Sequence, residues 1–187
     1  GTCIVNGAVG VGASAPSGTT DGHISFSSSV DGDQALSLDA GTGTVTIGST
    51  ATLTSLTISD ASQVELGNVV TTGLQSITGT NIDLNGTAYT RSTAGPISFN
   101  GAVGLGASAT SVTTDGNISF SSTVDGAQAL SLDAGTGTVT IGSTATLTSL
   151  TISDASQVDL GNVVTTGLQS IKGTNIDLNG TTYTRST

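Results

Sequence analysis

The chain has 187 residues, of which 35% are hydrophobic and only 9% are charged, and its net charge is −10. Arg91, Lys172 and Arg185 are the three basic residues, so the chain lacks the basic surface that nucleic acids and anionic membranes require. No run of apolar residues is long enough to span a membrane, and the first residues lack the layout of a signal peptide. We therefore expect any secretion signal to lie outside these residues. The abundance of Thr, Val, Ile, Gly, Asn and Asp is typical of an all-β protein with many short strands.

The chain contains a long internal repeat with a period of 94 residues. When residues 6–93 are aligned with residues 100–187, 79 of the 88 paired positions are identical. The identity extends to polar positions that a hydrophobic core does not require, which indicates recent duplication. We treat residues 1–93 and 94–187 as two repeats of one continuous structure, with an arbitrary boundary between them.

A four-residue motif of alternating polar and apolar residues recurs within each repeat. In chain order it reads HISF from residue 23, TVTI from 44, QVEL from 63, NIDL from 81 and PISF from 96, and NISF from 117 begins the next series. The steps are 21, 19, 18, 15 and 21 residues, so five turns of just under 19 residues fill one repeat. A second set of strand-like segments lies between these motifs, so each turn has at least two sides. Pro96 makes one motif imperfect.

The motifs predict a parallel β-helix, or β-solenoid, of about ten turns. Side chains alternate between the two faces of a strand, so the apolar positions of each motif point inward and stack on those of the next turn. At a spacing of about 4.8 Å, ten turns give a rod roughly 48 Å long. Two tandem β-sandwich domains are the alternative, because such domains also run to about 100 residues.

Two stretches resemble the strand repeats of giant bacterial surface proteins. They are GNISFSSTVDGAQALSLDAGTGTVTIGS, and NIDLNGT followed by ISFNGAVGLGA. The resemblance is to the filamentous-haemagglutinin-like and autotransporter-like adhesins, and it covers nearly the whole chain. It implies a right-handed parallel β-helix, secretion to the bacterial cell surface, and a role in adhesion, biofilms or surface layers.

The beginning of the chain resembles the sequence that would be expected to follow its last residue. The phrase that ends at Thr93 is followed by AGPISFNGA, and the chain begins GTCIVNGA. If a second molecule followed Thr187, Cys3 and Val5 would take the inward positions of Ile97 and Phe99. We therefore expect head-to-tail stacking, in a longer array or between subunits. The expected assembly interface consists of Cys3, Ile4, Val5, Tyr183, Arg185 and Thr187.

Acidic side chains recur at outward positions of adjacent motifs. Glu65 and Asp83 in the first repeat, and Asp159 and Asp177 in the second, should lie about 5 Å apart after stacking. A solvated polar face is one interpretation, and loose Ca²⁺ binding is another. Glycosidase chemistry also uses paired carboxylates, but an exposed flat strand offers no substrate cleft. Apart from this weak calcium signal the sequence predicts no metal and no cofactor.

Four other residue types are candidates for function. Cys3 cannot form an internal disulfide and alternates with Val5, which indicates a small inward side chain. His23 is the only histidine, and Asn117 replaces it in the second repeat, so we expect an outward polar residue rather than a general base. Tyr89 and Arg91, which Tyr183 and Arg185 repeat, could contact sugars or a neighbouring fibre, or they could pack into a corner.

The sequence therefore predicts a structural, non-enzymatic extracellular protein that forms a stiff filament or stalk. A glycan- or surface-binding adhesin module is the main alternative, with a cell-surface receptor as its partner. Ice binding and carbohydrate-active chemistry are less favoured, because the outward pairs are mixed and clustered acids lack basic partners.

Overall fold

The computed structural model describes residues 1–19 and 21–186, and all regular structure in these ranges is β-strand. No described segment forms a helix that is long and apolar enough to cross a membrane. The 26 strands are β1 Cys3–Val5, β2 Val9–Gly10, β3 Ala15–Gly18, β4 Ile24–Phe26, β5 Val30–Asp31, β6 Ala35–Asp39, β7 Thr44–Ile47, β8 Ala51–Leu53, β9 Ser55–Asp60, β10 Gln63–Leu66, β11 Val69–Thr71, β12 Gln75–Leu84, β13 Ala88–Arg91, β14 Ile97–Leu105, β15 Ala109–Thr113, β16 Ile118–Phe120, β17 Val124–Asp125, β18 Ala129–Asp133, β19 Thr138–Ile141, β20 Ala145–Leu147, β21 Ser149–Asp154, β22 Gln157–Leu160, β23 Val163–Thr165, β24 Gln169–Ile171, β25 Asn175–Leu178 and β26 Tyr183–Arg185.

The strands wind into a parallel β-solenoid with three faces, which confirms the predicted fold class. Every strand pair between described residues is parallel. Face 1 contains β1, β4, β7, β10, the second halves of β12 and β14, β17, β20, β23 and β26. Face 2 contains β2, β5, β8, β11, β13, β15, β18, β21 and β24. Face 3 contains β3, β6, β9, the first halves of β12 and β14, β16, β19, β22 and β25.

The number of turns is about nine rather than ten. Two of the 26 strands, β12 and β14, turn a corner and belong to two faces each, which gives 28 sides and nine and one third turns. Residues in register on neighbouring turns are 18–22 positions apart, for example Val64 with Ile82 and Gln75 with Ile97. At about 4.8 Å per turn the rod is roughly 45 Å long.

One continuous hydrophobic core runs along the rod axis. On face 1, Ile24, Val45, Val64 and Ile82 stack in register, and each is 0% exposed. Each such side chain contributes about 1.5–3 kcal/mol by its removal from water. The buried residues of both repeats form one cluster, so the tandem-sandwich alternative is wrong.

The predicted stacking order fails at one motif. NIDL at residue 81 does not pair with PISF at residue 96, because residues 81–84 pair with residues 102–105. Ile97–Phe99 instead pair with residues 75–77 below and 118–120 above, on face 3. The step of 15 residues passes two corners and reaches face 3, but it is too short to pass the third corner and return to face 1. The series of motifs therefore moves from face 1 to face 3 at this point.

This shift makes the second repeat rotate by one third of a turn relative to the first. Fourteen sides separate Cys3 from its counterpart Ile97, so one repeat makes four and two thirds turns instead of five. Ile24–Phe26 lie on face 1, whereas the identical Ile118–Phe120 lie on face 3. The same sequence thus builds different faces of the rod in the two repeats.

Candidate functional site

The structure brings the predicted carboxylate pairs together. Glu65 is in register with Asp83 on face 1, and Asp159 is in register with Asp177 on face 3. Glu65, Asp83 and Asp159 are half-buried, and Asp177 in the last turn is exposed. The alternation of the strands explains this placement, because the flanking residues Val64 and Leu66 point into the core.

Glutamine side chains donate hydrogen bonds to these carboxylates. Gln63 Nε2 donates to Asp83 Oδ2 at 2.7 Å. In the second repeat Gln157 Nε2 donates to Asp159 Oδ1 at 2.7 Å and to Asp177 Oδ2 at 2.8 Å. One amide group therefore bridges both acids of that pair and reduces their mutual repulsion.

Calcium binding at the pairs stays a prediction with a direct test. No group of three or more His, Cys, Asp or Glu side chains arranged to hold a metal occurs within residues 1–19 and 21–186. If Ca²⁺ binds, millimolar calcium should raise the unfolding midpoint of the chain, and a chelator should reverse the shift. The double variant Asp159→Asn/Asp177→Asn should abolish the shift at its pair, whereas a similar rise with Mg²⁺ would indicate only screening of charge.

His23 and Asn117 make equivalent hydrogen bonds to the next turn. His23 is exposed, and its Nδ1 accepts a hydrogen bond from the backbone N–H of Thr44 at 3.1 Å. Asn117 Oδ1 accepts from the N–H of Thr138 at 2.9 Å. The histidine is thus an outward polar residue that joins two turns, as the sequence predicted.

At the corner between faces 3 and 1, aspartate side chains accept hydrogen bonds from the backbone of the turn. Asp21 Oδ1 accepts hydrogen bonds from the N–H and the Oγ1 hydroxyl of Thr42 at 3.4 and 2.8 Å, and Asp39 Oδ1 accepts from the N–H of Gly41 at 3.1 Å. Asp21 has φ 54, a left-handed conformation that aspartate tolerates better than most residues. These carboxylates cap the corner between turns.

Tyr89 is packed inside the first repeat and does not form a sugar-binding surface. Its side chain is 1% exposed, its hydroxyl donates to Leu66 O at 3.0 Å, and it accepts from Gly86 N–H at 3.0 Å. Its ring meets Phe99 edge-on at 6.0 Å, and Phe99 stacks on Phe120 at 5.0 Å. Burial raises the pKa of Tyr89 above its ordinary value.

Arg91 closes the corner between faces 2 and 3. Its guanidinium donates to Ala94 O at 2.9 Å and to Pro96 O at 3.2 Å. Burial lowers its pKa from the ordinary value. A β-carbon at Gly95 would overlap the guanidinium, so this glycine leaves the space that Arg91 occupies. Tyr89 and Arg91 are therefore a packed corner, which was one of the two predicted alternatives.

Sequence reasoning missed two polar residues that hold corners together. Asn68 Oδ1 accepts from the N–H groups of Thr87 and Ala88 at 2.8 and 3.1 Å, and Asn162 repeats this arrangement. Gln75 is 1% exposed, and its Nε2 donates to Thr90 O at 2.7 Å. The phrases GN and LQS are identical in the two repeats, which was the available sign that Asn68 and Gln75 matter. Only the pairing between turns shows which groups these side chains bind.

The predicted assembly residues lie at the two ends of the rod. Cys3 is a free, half-buried thiol in register with the buried Ile24, and Ile4 points outward and is 61% exposed. In the last turn Tyr183 is half-buried and Arg185 is exposed. Thr187 lies outside the described residues. The two ends are therefore the surfaces where core residues meet solvent.

Comparisons with protein families, with curated proteins and with solved structures gave no match to this chain.

Proposed function

We propose that this chain is a non-enzymatic structural segment of an extracellular bacterial surface fibre or adhesin. It forms a stiff rod that is extended end to end by further turns of the same kind. The observation that carries the proposal is the unbroken ladder between the two repeats, where β12 and β13 of the first pair with β14 and β15 of the second. The strand-repeat resemblance to bacterial adhesins supports the extracellular role.

The contacts between turns explain why such a rod would be stiff. Each turn shares backbone hydrogen bonds and buried side chains with the turn below and the turn above, as Val64 does with Val45 and Ile82. In solenoids of this kind stability is a sum of repeat and nearest-neighbour terms, so each added repeat lengthens the rod with the same contacts. Bending requires several of these ladders to open on one side.

Small-angle X-ray scattering of a tandem fusion tests the rod function. Two copies joined through one added residue keep the 94-residue period across the join. We expect the longest dimension to increase from roughly 45 to roughly 90 Å, with an unchanged cross-section. A control fusion with a twenty-residue Gly/Ser linker should give a hinged particle with a broader distance distribution. If the one-residue fusion matches the control, the continuous rod is wrong.

A glycan array with the same sample tests the alternative role as a binding module. Selective binding that survives in the tandem fusion and saturates with concentration would favour a glycan-binding adhesin over a spacer.

A further inference from the structure

The contact between the two repeats is an internal example of one turn covering another. The turn at residues 75–91 lies directly under the turn at residues 97–113, with Gln75 in register with Ile97, Ile82 with Val103 and Tyr89 with Ser111. In this covered state Gln75, Ile82, Leu84 and Tyr89 are each 0–1% exposed. We call this contact the internal junction.

The last turn, residues 169–185, repeats the lower half of the internal junction. It differs from residues 75–91 only at Lys172 and Thr182. It also keeps the same register with the turn below, since Ile176 lies on Val158 as Ile82 lies on Val64. Yet Ile176 is 43% exposed and Leu178 is 53% exposed, whereas Ile82 and Leu84 are 0% and 1% exposed. The last turn is therefore an apolar surface whose covered form is known from the same chain.

The first turn, residues 3–19, is similar to the upper half of the internal junction and identical to it at 11 of 17 positions. It corresponds to residues 97–113, and it surrounds an opening of about 380 Å³ with Cys3, Val9, Val11 and Phe26 in its lining. No Asp, Glu, Lys or Arg occurs in residues 1–20, so covering this end buries no charged side chain of the first turn. The first turn thus offers the last turn an uncharged surface with apolar side chains.

We propose that a second copy of this chain docks its first turn on the last turn of the preceding copy, in the register of the internal junction. Cys3 of the second copy then lies beside Gln169, Val9 beside Ile176 and Ser17 beside Tyr183. Face 1 of the second copy continues face 2 of the first, because nine and one third turns leave each copy rotated by one third of a turn. This inference rests on the proposed rod function and specifies its partner and register.

The junction between copies is weaker than the internal junction. Val5 replaces Phe99, so the edge-on contact of Tyr89 with Phe99 across the internal junction has no counterpart between Tyr183 and Val5. Pro16 replaces Thr110, whose N–H donates to Thr87 O at 3.0 Å, so one backbone hydrogen bond is missing. Assembly is therefore expected to be reversible and to increase with protein concentration.

Gly7 offers a substitution that separates assembly from folding. A β-carbon at Gly7 meets no atom within 4 Å in the single chain. At its counterpart Gly101 a β-carbon would overlap the carbonyl oxygen of Gly79, and Gly173 is the equivalent of Gly79 in the last turn. Gly7→Ala should therefore leave the unfolding midpoint unchanged and abolish assembly. Gly18→Val is the matched control, because the internal junction already contains Val112 at that position.

Sedimentation velocity and negative-stain imaging provide the first readout. We expect the unmodified chain and Gly18→Val to form rods that lengthen with concentration in steps of about 45 Å. Gly7→Ala should remain a single rod under the same conditions. A monomeric unmodified chain at all concentrations, or full assembly of Gly7→Ala, would overturn the proposed junction.

Disulfide trapping provides the second readout and tests the register. In Gln169→Cys the Cα atom of residue 169 should lie about 4.8 Å from the Cα atom of Cys3 in the next copy. This separation is within the range that a disulfide can bridge. Mild oxidation should give a ladder of oligomers that peptide mapping assigns to residues 3 and 169. Ser170→Cys should cross-link at least ten times less, because position 170 is paired with Ile4 and points outward. Cross-links between two copies of position 169, or equal yields from both variants, would overturn the register.

The outcomes also separate this inference from the proposed function. If the tandem fusion forms a straight rod but the separate chains neither assemble nor cross-link, the rod function stands and docking of a second copy is wrong.

Discussion

Ile82 and Ile176 allow one prediction to be worked through, because they are the same residue of the repeat in two environments. Each follows an asparagine in the phrase NIDL, and each lies in register with a valine of the turn below. Ile82 is covered by Val103 and is 0% exposed, whereas Ile176 is 43% exposed. We predict that Ile82→Ala destabilises the chain far more than Ile176→Ala.

The magnitudes follow from the buried area. Replacement of isoleucine by alanine removes three carbon atoms, worth about 0.8 kcal/mol each when fully buried. The enclosed cavity at residue 82 adds to this loss, so we expect about 3–4 kcal/mol for Ile82→Ala. At residue 176 a little over half of the side chain is covered and no closed cavity forms, so we expect about 1 kcal/mol. The difference of at least 2 kcal/mol corresponds to roughly a thirtyfold change in the unfolding equilibrium.

Guanidinium unfolding in the Gly7→Ala background measures this difference without assembly between copies. Hydrogen exchange followed by mass spectrometry then locates the effect, and protection should fall in residues 75–91 for one variant and in residues 169–185 for the other. Equal destabilisation by the two variants in this background would refute the reasoning, because it would mean that the covering turn contributes nothing to the stability of Ile82.

Three further predictions concern single side chains. Because burial raises the pKa of Tyr89, the folded chain holds the phenolic proton more tightly than the unfolded chain. The contribution of the protonated Tyr89 phenol to stability is complete below about pH 10 and is lost as the pH rises above that value. The unfolding midpoint should therefore fall at high pH, and it should fall less steeply in Tyr89→Phe. Gly95→Ala should displace Arg91 from the corner and increase hydrogen exchange of residues 91–96. A change in the free energy of unfolding below about 0.5 kcal/mol, together with unaltered exchange, would contradict this packing. His23→Asn should leave stability within about 0.5 kcal/mol, since Asn117 already makes the equivalent bond, but His23→Ala should cost about 1 kcal/mol in thermal unfolding.

The sequence by itself determined the fold class and the inward positions. Strict alternation in TVTI, QVEL and NIDL predicts that Val45, Val64 and Ile82 point inward, and these residues are buried. The even steps of 18–21 residues predicted that these motifs stack, and they also placed Glu65 beside Asp83. Alternation carries this information because the two faces of a strand are fixed by backbone geometry alone.

Only the tertiary structure decided how many sides a turn has and which strands stack. The phrase PISF at residue 96 has the same local pattern as NIDL at residue 81, so no local signal separates face 3 from face 1. The difference arises at the corners, where Arg91, Gly95 and the bend within β12 determine the direction of the chain. Backbone bonds to the turn below fix these corners, because Thr80 N–H donates to Ala61 O and Ser92 N–H donates to Thr71 O, over 19 and 21 positions. For the same physical reason, two nearly identical repeats lie one third of a turn apart, and a buried isoleucine in one is exposed in the other.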